Sequence, residues 1–245
     1  MSDKVSLITG SAQGIGRQTA KKFAKEGMKL ALVDVKKEKL QELEEELDEF
    51  EECITVECDV SDPKQVKKTV SKTVDEFGKL DILVNNAGVM SHDQIEEVTD
   101  ELLEKILGVN FKGTFYFCRE VAPIMKSNSY GKIVNVSSIA GKTGDNTTTP
   151  VYGSSKGAIA TLTKSLARQL GPFGINVNGV APHAIMTPMM SYWDEEKKER
   201  IRNSLPVRRL GTPKDVAMAI SFLASDEADF ITGQIINVNG GELME

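Results

Sequence analysis

The sequence predicts an α/β fold in which a doubly wound parallel sheet is covered by helices on both faces. Three observations carry that prediction. Short apolar runs alternate with longer amphipathic ones along the chain. The short runs are apolar without strict alternation, the pattern of strands buried on both faces. Parallel neighbours joined through helices close by right-handed crossovers, so repeated β–α units build one open sheet. The 245 residues suit one domain spanning 1–245, with no repeat, linker or low-complexity tract.

The first strand is expected at 5–9, followed by TGSAQGIG at 9–16 and a helix over 15–26. Gly10, Gly14 and Gly16 allow a tight turn and close approach of the backbone to a pyrophosphate at the helix N-terminus, where free N–H groups and the dipole favour anions. Gln13 and Ile15 lie in the same turn. The spacing is Gly-x-x-x-Gly-x-Gly, which alone also fits a plain tight connection.

Asp34 ends the second strand, 29–34, twenty positions beyond Gly14. A carboxylate there accepts from the ribose 2′-hydroxyl of NAD and repels a 2′-phosphate, so NAD is expected over NADP. Lys36 and Lys37 stand close enough to keep some NADP use open. A helix over 36–50 carries most of the acidic run at 38–52, read as a solvated face. After the third strand, 53–58, Asp59 and Val60 either meet the adenine edge or begin the turn into Ser61-Asp62-Pro63 and a helix over 63–77.

The fourth strand, 81–86, ends in Asn85-Asn86-Ala87-Gly88, where an amide pair could brace the sheet and small residues admit a cofactor. One long helix is expected over about 99–126, carrying Asn110. A fifth strand at 132–137 precedes Ser138 and the loop 141–151, whose run of three threonines at 147–149 makes a polar wall possible. The helix over 151–170 carries Tyr152 and Lys156 one turn apart on one face. A free phenol titrates near about 10, so a neighbouring ammonium would help it work near neutrality. After the sixth strand, 175–181, come Pro182, Ile185 and Thr187. The stretch 188–210 holds the single tryptophan and is either a lid over a ligand or an amphipathic helix packed on the core. A helix over 213–224 and a strand at 234–239 complete the pattern.

The formal net charge of −6 argues against nucleic acid or an anionic membrane as partner. Three cysteines without a CxxC argue against a disulfide scaffold or zinc site, and two histidines argue against a metal centre. No segment reaches membrane-spanning length, and a cytoplasmic protein is expected.

In order and spacing, TGSAQGIG, Asp59-Val60, NNAG, Asn110, Ser138 and Tyr152-x-x-x-Lys156 resemble the short-chain dehydrogenase/reductase family, as do 209–217 and the terminal INVNGG. The resemblance spans essentially the whole chain and implies a Rossmann-type sheet of about seven strands. It also implies an NAD(P)-dependent enzyme acting on a secondary alcohol or ketone. Tyr152 would be the acid/base, and Lys156 its electrostatic partner and ribose anchor. Ser138 would bond the substrate oxygen, Asn110 hold a water, and Thr187 bond the nicotinamide carboxamide. Many relatives have glycine where His183 stands; the imidazole either contacts substrate or sits in a turn.

The pattern looks closest to 3-oxoacyl thioester reductases, with NAD-dependent polyol, sugar and small-alcohol dehydrogenases as competitors. Basic residues that would grip an acidic carrier protein are few around 129–132 and 172–174, which leaves CoA esters or free carbonyls open. A non-catalytic NAD-binding sensor is the alternative of a different class. The resemblance further implies a homotetramer paired through 99–126, 151–170 and 213–239. Leu162, Leu166 and Leu170 form a helical stripe that serves either such contacts or the interior.

Overall fold

The computed structural model describes residues 1–47, 52–144 and 147–245. The end of the expected 36–50 helix, part of the acidic run and two residues of the 141–151 loop lie outside them. The described elements are β1 (Val5–Thr9), α1 (Gly14–Lys25), β2 (Lys29–Asp34), α2 (Lys37–Glu46), β3 (Cys53–Glu57), α3 (Pro63–Phe77), β4 (Ile82–Asn85), α4 (Asp100–Leu107), α5 (Gly113–Asn128), β5 (Gly131–Val136), α6 (Ala140–Thr143), α7 (Pro150–Leu170), β6 (Ile175–Pro182), α8 (Glu195–Ser204), α9 (Pro213–Ala224) and β7 (Ile235–Val238).

All seven strands form one sheet in the order β3-β2-β1-β4-β5-β6-β7, every neighbouring pair parallel. Alternate residues of each strand feed two cores, as the strand period requires. Ile8, Leu30, Leu32, Ile82, Val84 and Val134 face α1, α2 and α9. Val5, Leu7, Ala31, Val33, Leu83 and Ile133 face α3, α5 and α7. Burial on both faces explains why these strands read as continuous apolar runs. Burial also pushes the Cys118 thiol up to about 12, which marks it as a core side chain.

Local chemistry sets the helix ends. Asp62 caps α3 by accepting from Lys64 N at 2.8 Å, Pro63 opens the helix, and Gly78 closes it in the left-handed region at φ 75°. Thr212 and Asp215 form a reciprocal capping box on α9.

The expected long helix at 99–126 is a correction. It is two α-helices joined by a π-turn over Gly108–Lys112. Gly113 explains the close approach that follows: a Cβ there would stand 2.8 Å from Val60 Cγ2. The stretch 188–210 forms the packed amphipathic helix that was one of its two readings. Its helix α8 packs through Ile201 with Trp193, Leu205 and Ala184 as a small satellite core, while Met189, Met190, Tyr192 and Trp193 line a cavity above the sheet.

Gly16 shows how tightly α1 crosses the sheet. A methyl on it would overlap the Gly10 carbonyl oxygen and stand 2.5 Å from Asn86 Nδ2. Gly16→Ala should therefore lower stability in urea by about 1–3 kcal/mol. Gly171→Ala, where the backbone is helical and the space open, should be nearly silent.

Candidate active site

In order β3-β2-β1-β4-β5-β6-β7 the sequence in which strands are added reverses between the parallel neighbours β1 and β4, and a crevice opens at the carboxyl ends of these strands. A cavity of about 940 Å³ fills it. Thr9 and Asn86 tie its floor. Thr9 Oγ1 accepts from Asn86 N at 3.0 Å and from Ala87 N at 3.1 Å, and Asn86 Nδ2 donates to the carbonyls of Thr9 and Gly10. Behind it Asn85 Nδ2 donates to Asn135 Oδ1 at 2.9 Å, and Asn135 donates onward to Thr163. The amide pair thus braces the sheet as the sequence suggested.

One end of the cavity is lined by the glycine turn and Asp34. Gly10 and Gly14 turn with φ of 65° and 57°. Among the described residues no side chain caps α1, and its first turn holds no acidic residue, an arrangement that suits an anion at its N-terminal amides. Asp34 is anchored at both oxygens, Oδ2 accepting from Ala12 N and Oδ1 from Lys36 N, each at 3.1 Å. Lys36 Nζ donates to Gln13 Oε1 at 3.0 Å. Asp59 makes the turn foreseen for it, accepting from Ser61 N at 2.9 Å, and also lines the cavity with Val60.

At the other end Lys156 is 4% exposed, and its Nζ donates to the Val136 carbonyl at 2.8 Å and lies 5.9 Å from the centre of the Tyr152 ring. Burial lowers its pKa to about 8, so it still carries its proton at neutral pH. Gly88 makes room here, since a Cβ on it would sit 3.4 Å from both Lys156 Nζ and Asn110 Oδ1. The two adjacent serines differ. Ser137 Oγ donates to the Lys156 carbonyl at 2.8 Å, whereas Ser138 Oγ accepts from Ala140 N, a bond that does not use its own proton.

Gly10, Gln13, Gly14, Ile15, Asp34, Asp59, Val60, Asn86, Ala87, Gly88, Ser138, Tyr152, Lys156, Pro182, Ile185 and Thr187 all line this one cavity. Two expected site residues do not. Gly16 packs behind the turn against Gly10 and Asn86, so its place is in the scaffold. Asn110, expected to hold a water, spends its side-chain amide on protein: Oδ1 accepts from Val89 N at 2.8 Å, and Nδ2 donates to the Val89 carbonyl and to Ser155 Oγ, each at 3.0 Å. Ser155 Oγ in turn donates to the Tyr152 carbonyl. The side chain of Asn110 therefore supports the turn of α7 beneath Tyr152, presented by a π-turn of the kind common at functional sites.

His183 lines the cavity, and the left-handed residue of its turn is Ala184, φ 51°. Sequence reasoning passed over Met90, His92, Val109, Met189 and Met190, which also line the cavity. They sit on turns without a motif and only the fold gathers them.

This arrangement defines a nicotinamide-dependent oxidoreductase: a dinucleotide cradle at a switch point, with a phenol and a buried ammonium at its far end. A family model described as enoyl-(acyl carrier protein) reductase matches residues 10–242. A Thermotoga maritima 3-oxoacyl-[acyl-carrier-protein] reductase is 39% identical over 97% of both chains. The Thauera aromatica (2S)-[(R)-hydroxy(phenyl)methyl]succinyl-CoA dehydrogenase subunit BbsD is 37% identical over 98% of this chain and 96% of its own. The crystal structure of a Brucella melitensis 3-ketoacyl-(acyl-carrier-protein) reductase complexed with NADH superimposes with a TM-score of 0.94, at 34% identity and 99% coverage of each chain. The chain belongs to the short-chain dehydrogenase/reductase family and is an NAD(P)-dependent oxidoreductase.

Tyr152→Phe keeps the ring and removes the proton. It should lower turnover by at least about 10²-fold while NADH still binds, the range of one lost acid/base group. Reduction by the unmodified enzyme should fall as pH rises through about 8, where Lys156 loses its charge. Steady-state rates and NADH titrations across pH check both.

Proposed function

We propose that the chain is an NAD(H)-preferring oxidoreductase of 3-oxoacyl thioesters, with CoA esters favoured over carrier-bound ones. The observation that carries the chemistry is the buried Lys156 beside Tyr152 at the end of a dinucleotide-sized cavity. Bound nicotinamide supplies the hydride for ketone reduction, or accepts it in alcohol oxidation. The Tyr152 hydroxyl gives the substrate oxygen its proton, Ser138 donates a second hydrogen bond to that oxygen, and the Lys156 ammonium stabilises the phenolate left behind.

The acyl thioester is favoured by the names of the relatives, which span carrier-protein and CoA substrates. The CoA preference rests on charge. Lys132 is only 1% exposed and is paired with Asp229 and Asn176, and Lys126 lies over the Phe173 ring at 4.3 Å, so an acidic carrier finds few open cations around these turns. The hydroxyl-bearing Thr147 and Thr148 on the cavity wall favour a second reading, a polyol, sugar or small-alcohol dehydrogenase. NADH oxidation against β-keto thioesters, ketoses and simple ketones separates these. Tight NADH binding with turnover on none would instead favour a sensor. Three unbridged cysteines, among the described residues, fit a reducing cytoplasm.

Preference for NAD is supported by the anchored Asp34 carboxylate. The ratio kcat/KM should favour NADH over NADPH by about tenfold or more, and Asp34→Ala should narrow the gap as the repulsion is lost and Lys36 remains. Parallel assays with both cofactors decide it.

A homotetramer is supported by apolar surface on the expected segments. Leu166 and Leu170 of the α7 stripe pack inward. In contrast Met218 and Phe222 on α9 and Phe230 beyond it face outward, Phe230 fully exposed. Two such self-complementary contacts would give D₂ symmetry. Light scattering should return about four times the 26.8 kDa of one chain; a mass near that of one chain would rule the tetramer out.

A further inference from the structure

Three chain segments that carry no family motif meet on one side chain. His92 follows β4 by way of Val89, Met90 and Ser91. Its Nδ1 lies 2.6 Å from the Thr147 carbonyl, fifty-five residues away. A carbonyl only accepts, so Nδ1 carries a proton and donates it to Thr147. The same ring meets Tyr192 edge-on, with centroids 4.3 Å apart at 61°. Lys197 of α8 lies 5.0 Å over Tyr192 and 5.4 Å over Trp193, which continues the stack into the satellite core.

A second bond runs beside the first. Thr149 N donates to the Ser91 carbonyl at 2.9 Å, and Tyr152 N donates to the Thr149 carbonyl at 2.9 Å as α7 begins. The loop after β4 thus holds both the approach to Tyr152 and the segment ahead of α8. His92, Thr147, Tyr152, Tyr192 and Trp193 all line the cavity. The nucleotide end shares none of these contacts.

We propose that His92 is a positioning residue for the substrate end of the cavity. Through the Thr147 carbonyl and the Tyr192 ring it holds two walls at a fixed distance, and so it sets the width available to the substrate beside Tyr152. The role in turnover rests on the oxidoreductase reading above; the clasp itself does not. Removing it should weaken substrate binding and leave cofactor binding unchanged, since Asp34, Gly10, Gly14 and the α1 amides lie at the other end.

Trp193 is the only tryptophan of the chain, 8% exposed and two contacts from His92, so its fluorescence reports the clasp without turnover. His92→Ala removes donor and ring, His92→Phe keeps a ring without the donor, and His92→Asn keeps a donor without the ring. In the cofactor-free protein, acrylamide quenching of Trp193 should rise in the Ala and Asn variants and stay near the original value in Phe. With a β-keto thioester, His92→Ala should raise KM about tenfold while kcat changes by less than about twofold and the NADH Kd is unchanged. Should the Ala variant fail to fold, the Phe and Asn variants carry the same comparison. Unchanged quenching in Ala and Asn would overturn the clasp. An NADH Kd rising in step with KM would overturn the positioning role by showing a general loosening. If the unmodified protein reduces no carbonyl, the functional reading falls, while the quenching result still decides His92.

Discussion

Two short side chains hold the site open. The Thr9 hydroxyl takes the backbone amides of Asn86 and Ala87, and the Asn86 amide returns two hydrogen bonds to the carbonyls of Thr9 and Gly10. β1 and β4 must diverge at their carboxyl ends because the helices that follow them leave in opposite directions. Divergence would strand backbone polar groups in a partly buried crevice, each costing about 1–3 kcal/mol if unpaired. Thr9 and Asn86 satisfy those groups without filling the gap, and Gly10 and Gly88 keep Cβ atoms out of it.

The rest of the site hangs from that opening. Asp34 reaches it from the end of β2 and Lys156 from α7 across β5, so the dinucleotide end and the proton-transfer end are placed by the same sheet. Lys156 tolerates burial because its Nζ has the Val136 carbonyl to donate to. Desolvation still lowers its pKa to about 8, so the ammonium remains charged at neutral pH. Asp34, Ser138 and Lys156 differ chiefly in which element delivers them to the one cavity.

Much of this was legible in the sequence, for a physical reason. Strands buried on both faces have no choice but to read as apolar runs, and the glycine turn, Asp34, Asn86 and the Tyr152–Lys156 pair lie at fixed offsets from strand ends. The break at Gly108–Lys112 was not legible, because a π-turn inserts one residue without changing the helical pattern on either side. Nor was the use of Asn110, whose amide partners come from Val89 and Ser155, far off in sequence. The left-handed backbone at Ala184 depends on how β6 leaves the sheet. His92 carried no signal at all, since its partners are a carbonyl and a ring brought near only by the finished fold.

The central position of β1 has a consequence for how the protein comes into being. Its neighbours are β2, close in sequence, and β4, whose residues follow more than seventy positions later. Groups that line the cofactor cavity run from Gly10 to Trp193, so a chain emerging from the ribosome offers no dinucleotide site until most of it has been made. Such distant pairings slow folding. Cofactor bound to the folded chain adds RT ln(1 + [L]/Kd) to its stability by mass action, so the cell's nicotinamide pool favours the finished fold.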